Sequence, residues 1–467
     1  MSDYPLLING RLEEGAHRLN VLNPATEEVG ATCARASEAQ LDAAVDAAAA
    51  AFPLWAATSL ADRRAALEAV ADIAQANAEE IGKILTLEQG KPLREAIAEV
   101  HGFAFFTRHF AQAELAVDVL EETDTRRVEA HRIPLGVVGA IIPWNFPLIL
   151  LGFKFGPALI TGNTLVVKPA PTTPLATLKL AALVKDALPP GVLNVIVDDN
   201  DLGPALSSHP KVRKISFTGS TATGARVMAS AASTLKRITL EMGGNDAGIV
   251  LSDVDPKEVA PKLFASAFGN CGQICIAMKR LYVHDDIHDA VCDELAKIAR
   301  SKTIGDGFDE STDLGPLQNR KQFERVNELI EDAAKHGTVI AGGTAPDRPG
   351  FFIEPTIVRD VAEGVRLVDE EQFGPALPVI RFSDADEAMD RINQAGEGLG
   401  GSIWTSDLAR AGALAARFET GTVWVNKHGE LDPSIPFSGA KTSGIGTELG
   451  REGVEEFTQQ KIVNMAL

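Results

Sequence analysis

The stretch Val137-Val138-Gly139-Ala140-Ile141-Ile142-Pro143-Trp144-Asn145-Phe146-Pro147 decides how this chain is read. Its first six residues form a continuous apolar run, the pattern of a strand buried on both faces. Two prolines then bracket an amide side chain, so the run must stop there. Downstream the alternation repeats. Helices are predicted around 148–161, over 174–187 and near 202–208, and strands at Thr164-Leu165-Val166-Val167, at 192–197 and at 212–217. Strands alternating with helices predict an α/β fold with a doubly wound parallel sheet.

A second alternating series runs from Gly248-Ile249-Val250-Leu251 to about residue 440. It has a long helix at 320–336 and strands near 352–358, 377–382 and 422–426. Upstream, residues 37–82 read as two helices. Ser37 and Gln40 make a capping box for the first, and the second follows Pro53 and Trp55. A third helix covers roughly 92–116. Glu121 to Ile133 is polar and β-prone and reads as a hairpin leaving the body, and 459–467 reads as a terminal strand.

A chain of 467 residues exceeds one ordinary core, so about two or three domains are expected. A net charge of −20 excludes a nucleic-acid binder, because phosphate recognition needs clustered Lys and Arg. Four cysteines do not make a disulfide scaffold at this length, and a reducing compartment is expected. Cys271 and Cys275 lack CxxC spacing, and Asp285 after His284 breaks the zinc pattern with His288, so no metal is expected. Met1-Ser2-Asp3-Tyr4 lacks a basic n-region, and the apolar runs fall short of the ~18 residues of a membrane helix. A cytoplasmic location without membrane partners is the expectation.

Three separated residues carry chemistry. Cys275 offers a soft nucleophile, Glu241 a carboxylate base and Asn145 an amide donor, the minimal kit for covalent catalysis at a carbonyl carbon. Singly, each has a structural reading: a small buried hydrophobe, a solvated carboxylate, a turn former between prolines. Phe217-Thr218-Gly219-Ser220-Thr221-Ala222-Thr223-Gly224 follows a predicted strand and opens a predicted helix, where N–H groups favour an anion. Two glycines make it a weaker signal than GxGxxG. Lys168 closes the second apolar strand, at the edge where such sheets bind ligands. The joint presence of these features singles the chain out.

The chain resembles the aldehyde dehydrogenase superfamily over essentially its full length. The resemblance rests on Asn23-Pro24-Ala25-Thr26, Glu88-Gln89-Gly90-Lys91-Pro92, Pro143-Trp144-Asn145-Phe146-Pro147, Gly156-Pro157-Ala158-Leu159 with Gly162-Asn163, and Phe217-Thr218-Gly219-Ser220. It continues through Glu241-Met242-Gly243-Gly244, Gly272-Gln273-Ile274-Cys275, Glu370-Glu371-Gln372-Phe373-Gly374-Pro375 and Pro436-Phe437-Ser438-Gly439-Ala440-Lys441-Thr442-Ser443-Gly444. It implies a Rossmann-type cofactor domain (1–118 and 135–243), an α/β catalytic domain (244–443) and an oligomerisation hairpin with the C-terminal strand (119–134 and 444–467). In that picture the hairpin is joined by a neighbour's C-terminal strand, in a homodimer or homotetramer.

The resemblance also implies roles. Cys275 would attack an aldehyde, the Asn145 amide and Cys275 N–H would hold the oxyanion, and Glu241 would activate the hydrolytic water. Lys154 and Glu448 would relay protons. NAD, or NADP, would be bound by Ile142, Pro143, Trp144, Lys168, Pro171, Gly219, Ser220, Gly224, Glu371 and Phe373. Pro171 stands where NAD-preferring relatives carry an acidic residue, which leaves both dinucleotides open. Further departures are Asn245 and Asp246 after the double glycine, Gln372, Glu397 and Thr447, and none removes a reacting group.

The substrate pocket is expected to be lined by Phe146, Leu150, Phe153, Ile274, Ile276 and His428, with helix 101–110, Ile149 and the loop Lys427 to Ser434 at the entrance. Such a lining suits a medium-sized apolar or aromatic aldehyde. If Glu430 and Asp432 of the loop Lys427 to Ser434 point inward, an aminoaldehyde or semialdehyde fits instead. Two rivals remain: an acylating enzyme that passes the thioester to CoA, which does without a base such as Glu241, and a catalytically silent structural protein.

Overall fold

In a computed structural model, which describes residues 4–467, the run Val137–Ile141 is the central strand of an eight-stranded sheet. The reading of Met1-Ser2-Asp3 lies outside the described residues. All five of its residues are buried, as a strand covered on both faces requires. Thr164–Lys168 and Leu193–Val195 lie parallel on one side of it, and Val212–Thr218 and Arg237–Glu241 on the other. The strand order therefore reverses at Val137–Ile141. Register aligns the carboxyl ends: Ile141 pairs with Lys168 and Phe217, and Thr218 pairs with Glu241. The predicted chemistry thus falls along one sheet edge, beside the switch point.

The second sheet has seven strands, all parallel except the edge strand Thr338–Ala341. Its order runs Thr338–Ala341, Thr356–Arg359, Ala376–Phe382, Arg280–His284, Ala247–Val250, Gly400–Trp404, Thr422–Val425. The long helix is Arg320–Ala333. Among the described residues no helix is long and apolar enough to cross a membrane.

Several expectations need correction. Residues 37–82 hold not two helices but Glu38–Ala57, Leu60–Ala76 and the start of Ala78–Gln89. Pro53 lies inside the first, which continues because Trp55 is buried and its indole N–H donates to the Leu159 carbonyl at 3.1 Å. The break comes at Ser59, whose side chain caps the next helix. The helix expected over 92–116 ends at Ala111. The hairpin is Asp118–Glu122 with Arg126–Pro134, and its third strand is the chain's own Thr458–Ala466, from Thr458↔Pro134 to Ala466↔Arg126. The neighbour's strand implied by the resemblance is not needed to complete that sheet. The segment 444–467 also divides. Gly444–Ile445 pairs with Leu240 and Glu241 on the first sheet, so only the last strand joins the hairpin.

Candidate active site

The loop before helix Pro147–Ile160, which carries Asn145, is clamped from below. Lys91 Nζ donates to the Asn145 carbonyl at 3.0 Å and pairs with Glu99 at 2.5 Å, with both side chains out of solvent. The other Glu99 oxygen accepts the Leu148 N–H at 2.9 Å, at the start of helix Pro147–Ile160. Asn270 Nδ2 adds a second bond to the Asn145 carbonyl at 3.1 Å. The Asn145 side chain then donates to the Gln273 carbonyl at 3.0 Å. An amide nitrogen has two protons, so one remains for the cavity that Asn145 lines.

Cys275 arrives on a tight reversal. Helix Pro256–Phe268 stops at Gly269, and Asn270, Cys271 and Gly272 all take positive φ (46°, 57° and 72°). Gly272 is required there, because a Cβ would sit 2.2 Å from the Gly374 carbonyl oxygen. Cys275 is half-buried and its thiol borders the cavity. Burial pushes that thiol up to about 12, Lys279 pulls it down, and Asp246, Glu241 and Glu371 reinforce the burial.

Glu241 closes the strand Arg237–Glu241 and is buried, with neither carboxylate oxygen hydrogen-bonded. Burial holds it well above the usual carboxylate range; the Glu448 carboxylate adds to this and Lys154 opposes it. Behind it lies a pair excluded from solvent: Lys154 Nζ is 2.5 Å from Glu448 Oε1 and donates to Thr218 Oγ1 at 2.7 Å.

Asn145, Glu241, Cys275, Thr218 and Glu448 share one cavity of about 250 Å³. Its remaining wall includes Phe146, Leu150, Phe153, Ile274 and Ile276, as expected, together with Phe106 and Ile149. Gly429 and Leu431 of the loop Lys427 to Ser434 line it too, while Met242 and Phe437 were missed, because strand and loop ends far along the chain give no periodic signal.

His428 does not line it. Its Nε2–H donates to the Ile276 carbonyl at 2.8 Å and its Nδ1 is 2.9 Å from Ser402 Oγ. Both ring nitrogens are satisfied away from the cavity. Burial lowers the imidazole to about 4, which keeps it neutral. Glu430 pairs with Lys427 and Asp432 accepts from Ser434, so neither loop carboxylate enters the site.

The remaining predicted residues gather at the adjoining sheet edge. Lys168 pairs with buried Asp198 at 2.8 Å, a partner that the sequence reading missed. Pro171 is half-buried in the turn that follows. Ile142 is core, bonded through its N–H to the Lys168 carbonyl, while Pro143 and Trp144 are partly exposed. The Trp144 ring meets Phe373 edge-on at 5.4 Å. Glu371 accepts the Gly244 N–H at 3.2 Å and pairs with Lys279 at 3.1 Å.

Ser220 caps helix Thr221–Ala232 and is exposed, so the free N-terminal amides of that helix face outward. The Gly219 N–H is committed to the Glu241 carbonyl, so Gly219 contributes space rather than a donor. Gly224 packs against the Met242 side chain, where a Cβ would fall 2.7 Å from Met242 Sδ and displace it.

A family model described as the aldehyde dehydrogenase family matches residues 12–463. The chain is 40% identical to the phenylacetaldehyde dehydrogenase of Pseudomonas fluorescens over 481 aligned positions, covering 99% of this chain and 96% of that protein. Among solved structures, an aldehyde dehydrogenase of Bacillus cereus in complex with NAD+ superposes with a TM-score of 0.97 at 36% identity, over 99% of this chain and 96% of that one. An NADP-dependent enzyme of E. coli gives a TM-score of 0.97 at 35% identity, over 100% and 98%.

Proposed function

The chain belongs to the aldehyde dehydrogenase family, and from that premise we propose that it oxidises a medium-sized apolar or aromatic aldehyde to the carboxylic acid, with NAD or NADP as hydride acceptor. One observation carries the reading: Cys275, Glu241 and Asn145 border the same cavity, whose other walls are mainly apolar. A cavity of ~150 Å³ takes benzene, so about 250 Å³ leaves room for a ring and a short chain.

In this reading the Cys275 sulfur adds to the aldehyde carbon. The Asn145 amide and the Cys275 N–H hold the oxyanion, a donor of that kind being worth roughly 3–4 kcal/mol of barrier. Loss of hydride from the adduct leaves a thioester on Cys275. Glu241 takes a proton from water, and the hydroxide so formed cleaves the thioester to the carboxylic acid and the Cys275 thiolate. The Lys154–Glu448 pair passes that proton on from behind.

The sheet edge fits a dinucleotide. The exposed amides at Ser220 suit a pyrophosphate, with Gly219 and Gly224 leaving space for it. Lys168 suits a ribose, Glu371 and Phe373 the nicotinamide end, and Ile142, Pro143 and Trp144 the wall between. A dinucleotide held by these residues would supply the hydride acceptor. Pro171 supplies no carboxylate to repel a 2′-phosphate, and the similarity to both an NAD+ complex and an NADP-dependent enzyme agrees with either cofactor. The chain is read as a homodimer or homotetramer in the cytoplasm.

The aminoaldehyde alternative loses its support, since Glu430 and Asp432 are engaged outside the cavity. The test is kcat/KM for benzaldehyde, hexanal and 4-aminobutanal with each dinucleotide, with and without CoA. Hexanal or benzaldehyde should lead, with free acid as product. A clear preference for 4-aminobutanal defeats the substrate reading, and acyl-CoA formation defeats the hydrolytic one. Cys275→Ser should abolish turnover. Glu241→Gln should slow it while an acyl-enzyme accumulates, and full steady-state activity in either variant defeats the mechanism.

A further inference from the structure

Lys279 is a fully buried lysine beside the nucleophile with no part in the reaction just described. It is 1% exposed. From four residues beyond Cys275 its chain turns back, and Nζ donates to the Cys275 carbonyl at 2.5 Å. The same nitrogen is 3.1 Å from Glu371 Oε1. Through its backbone N–H it also meets the Asp246 carbonyl at 2.9 Å.

The Asp246 carboxylate is enclosed between two glycines. A Cβ on Gly244 would meet one of its oxygens at 2.4 Å, and a Cβ on Gly400 the other at 2.5 Å. One ammonium thus serves the nucleophile's own loop and the Glu371 carboxylate, and its charge also acts on the buried Asp246 carboxylate without a hydrogen bond to it.

A buried charge acts strongly on its neighbours, because little water screens it. Keeping an ammonium out of solvent is costly unless carboxylates pair with it. Glu371 supplies that pairing, the Asp246 charge adds to it from nearby, and the pairing weakens what the ammonium offers the thiol. The charged groups facing the sulfur are Lys279, Asp246, Glu241 and Glu371, and of these Lys279 favours the thiolate. Arg280 acts on Asp246 from the same strand entry, with its side chain bonded to the Asn245 and Ile392 carbonyls.

We propose that Lys279 is a positioning residue that couples the Glu371 carboxylate to the reactivity of the Cys275 thiol. Its ammonium is shared between them. Drawing Glu371 away leaves more of the positive charge to the sulfur, and removing the ammonium leaves the thiol among carboxylates alone. The inference rests on Cys275 being the nucleophile and on Glu371 facing the cofactor.

The test reads the thiol directly, without cofactor or aldehyde. Alkylation of Cys275 by iodoacetamide, followed at its peptide by mass spectrometry over pH 6–9, reports the thiolate fraction. A nearby opposite charge shifts a pKa by about one unit or more. Lys279→Met should therefore slow alkylation about tenfold at each pH. Glu371→Gln and Asp246→Asn should speed it.

Opposite directions are the signature, since a loosened loop would move all three variants the same way. Unchanged rates in Lys279→Met, or three shifts of one sign, overturn the proposal. If Lys279→Met does not fold, the other two decide, and unchanged or slower alkylation in both overturns it. A chain that alkylates with the expected signs yet oxidises no aldehyde would sink the functional reading and leave this coupling standing.

Discussion

Two groups in the cavity hold protons that their chemistry must shed. Burial raises the Cys275 thiol to about 12 and holds Glu241 well above the usual carboxylate range. A raised pKa means that the ionised form gains population only as pH rises. Both the nucleophile and the base are needed ionised, so kcat/KM should climb steadily from pH 6 to pH 9 instead of levelling below neutrality. A stopped-flow or steady-state profile that is flat across that range would contradict the assignment. At this scale the sequence singled out three residues that line one cavity, because Cys, Glu and Asn have few substitutes for the tasks proposed for them. It was a poor guide to partners. Nothing local to Lys168 announces Asp198, and His428 looked like a pocket residue until both its ring nitrogens were found engaged elsewhere.

The element that most depends on a distant residue is helix Pro147–Ile160. It has no side-chain cap of its own, and Glu99 from helix Leu93–Ala111 accepts its Leu148 N–H. Lys91 neutralises that carboxylate and holds the Asn145 carbonyl. Lys91→Met would leave Glu99 charged and unpaired, a change that costs about 3–5 kcal/mol. A fall in the denaturation midpoint, together with reduced kcat from a loosened Asn145, is expected. A midpoint equal to wild type would show that the pair carries no such load. The segment Glu88-Gln89-Gly90-Lys91-Pro92 was visible as a motif, but its job was not, since the ion pair forms only when the loop at Lys91 folds against helix Leu93–Ala111 under Asn145. Arg237–Glu241 likewise escaped notice as a strand. Its polar ends hide a short buried core that only the neighbouring strands complete.

On the whole-molecule scale, the three-stranded arm leaves Val119, Leu120, Ile133, Ile462 and Leu467 between 36% and 66% exposed. Exposed apolar side chains on a small sheet with open edges suit burial against another copy. Wild type should run as a dimer or tetramer in light scattering, and Leu120→Glu with Ile462→Glu should shift it to monomer. A monomeric wild type would refute the assembly reading. The amino-acid sequence by itself determined the fold class, the polar edge of the first sheet and which side chains are proposed to react. Buried-strand runs, helical periodicity and chemically irreplaceable residue types are all written locally. Only the tertiary structure decided that the chain's own last strand completes the arm, that Gly444–Ile445 returns to the first sheet with Glu448, and that Lys279 lies between Cys275 and Glu371. The first two outcomes depend on pairings between segments hundreds of residues apart, and the third on Glu371 returning from another part of the chain to a lysine beside the nucleophile. Their free energy comes from burial and charge matching in three dimensions, for which a linear pattern carries no mark.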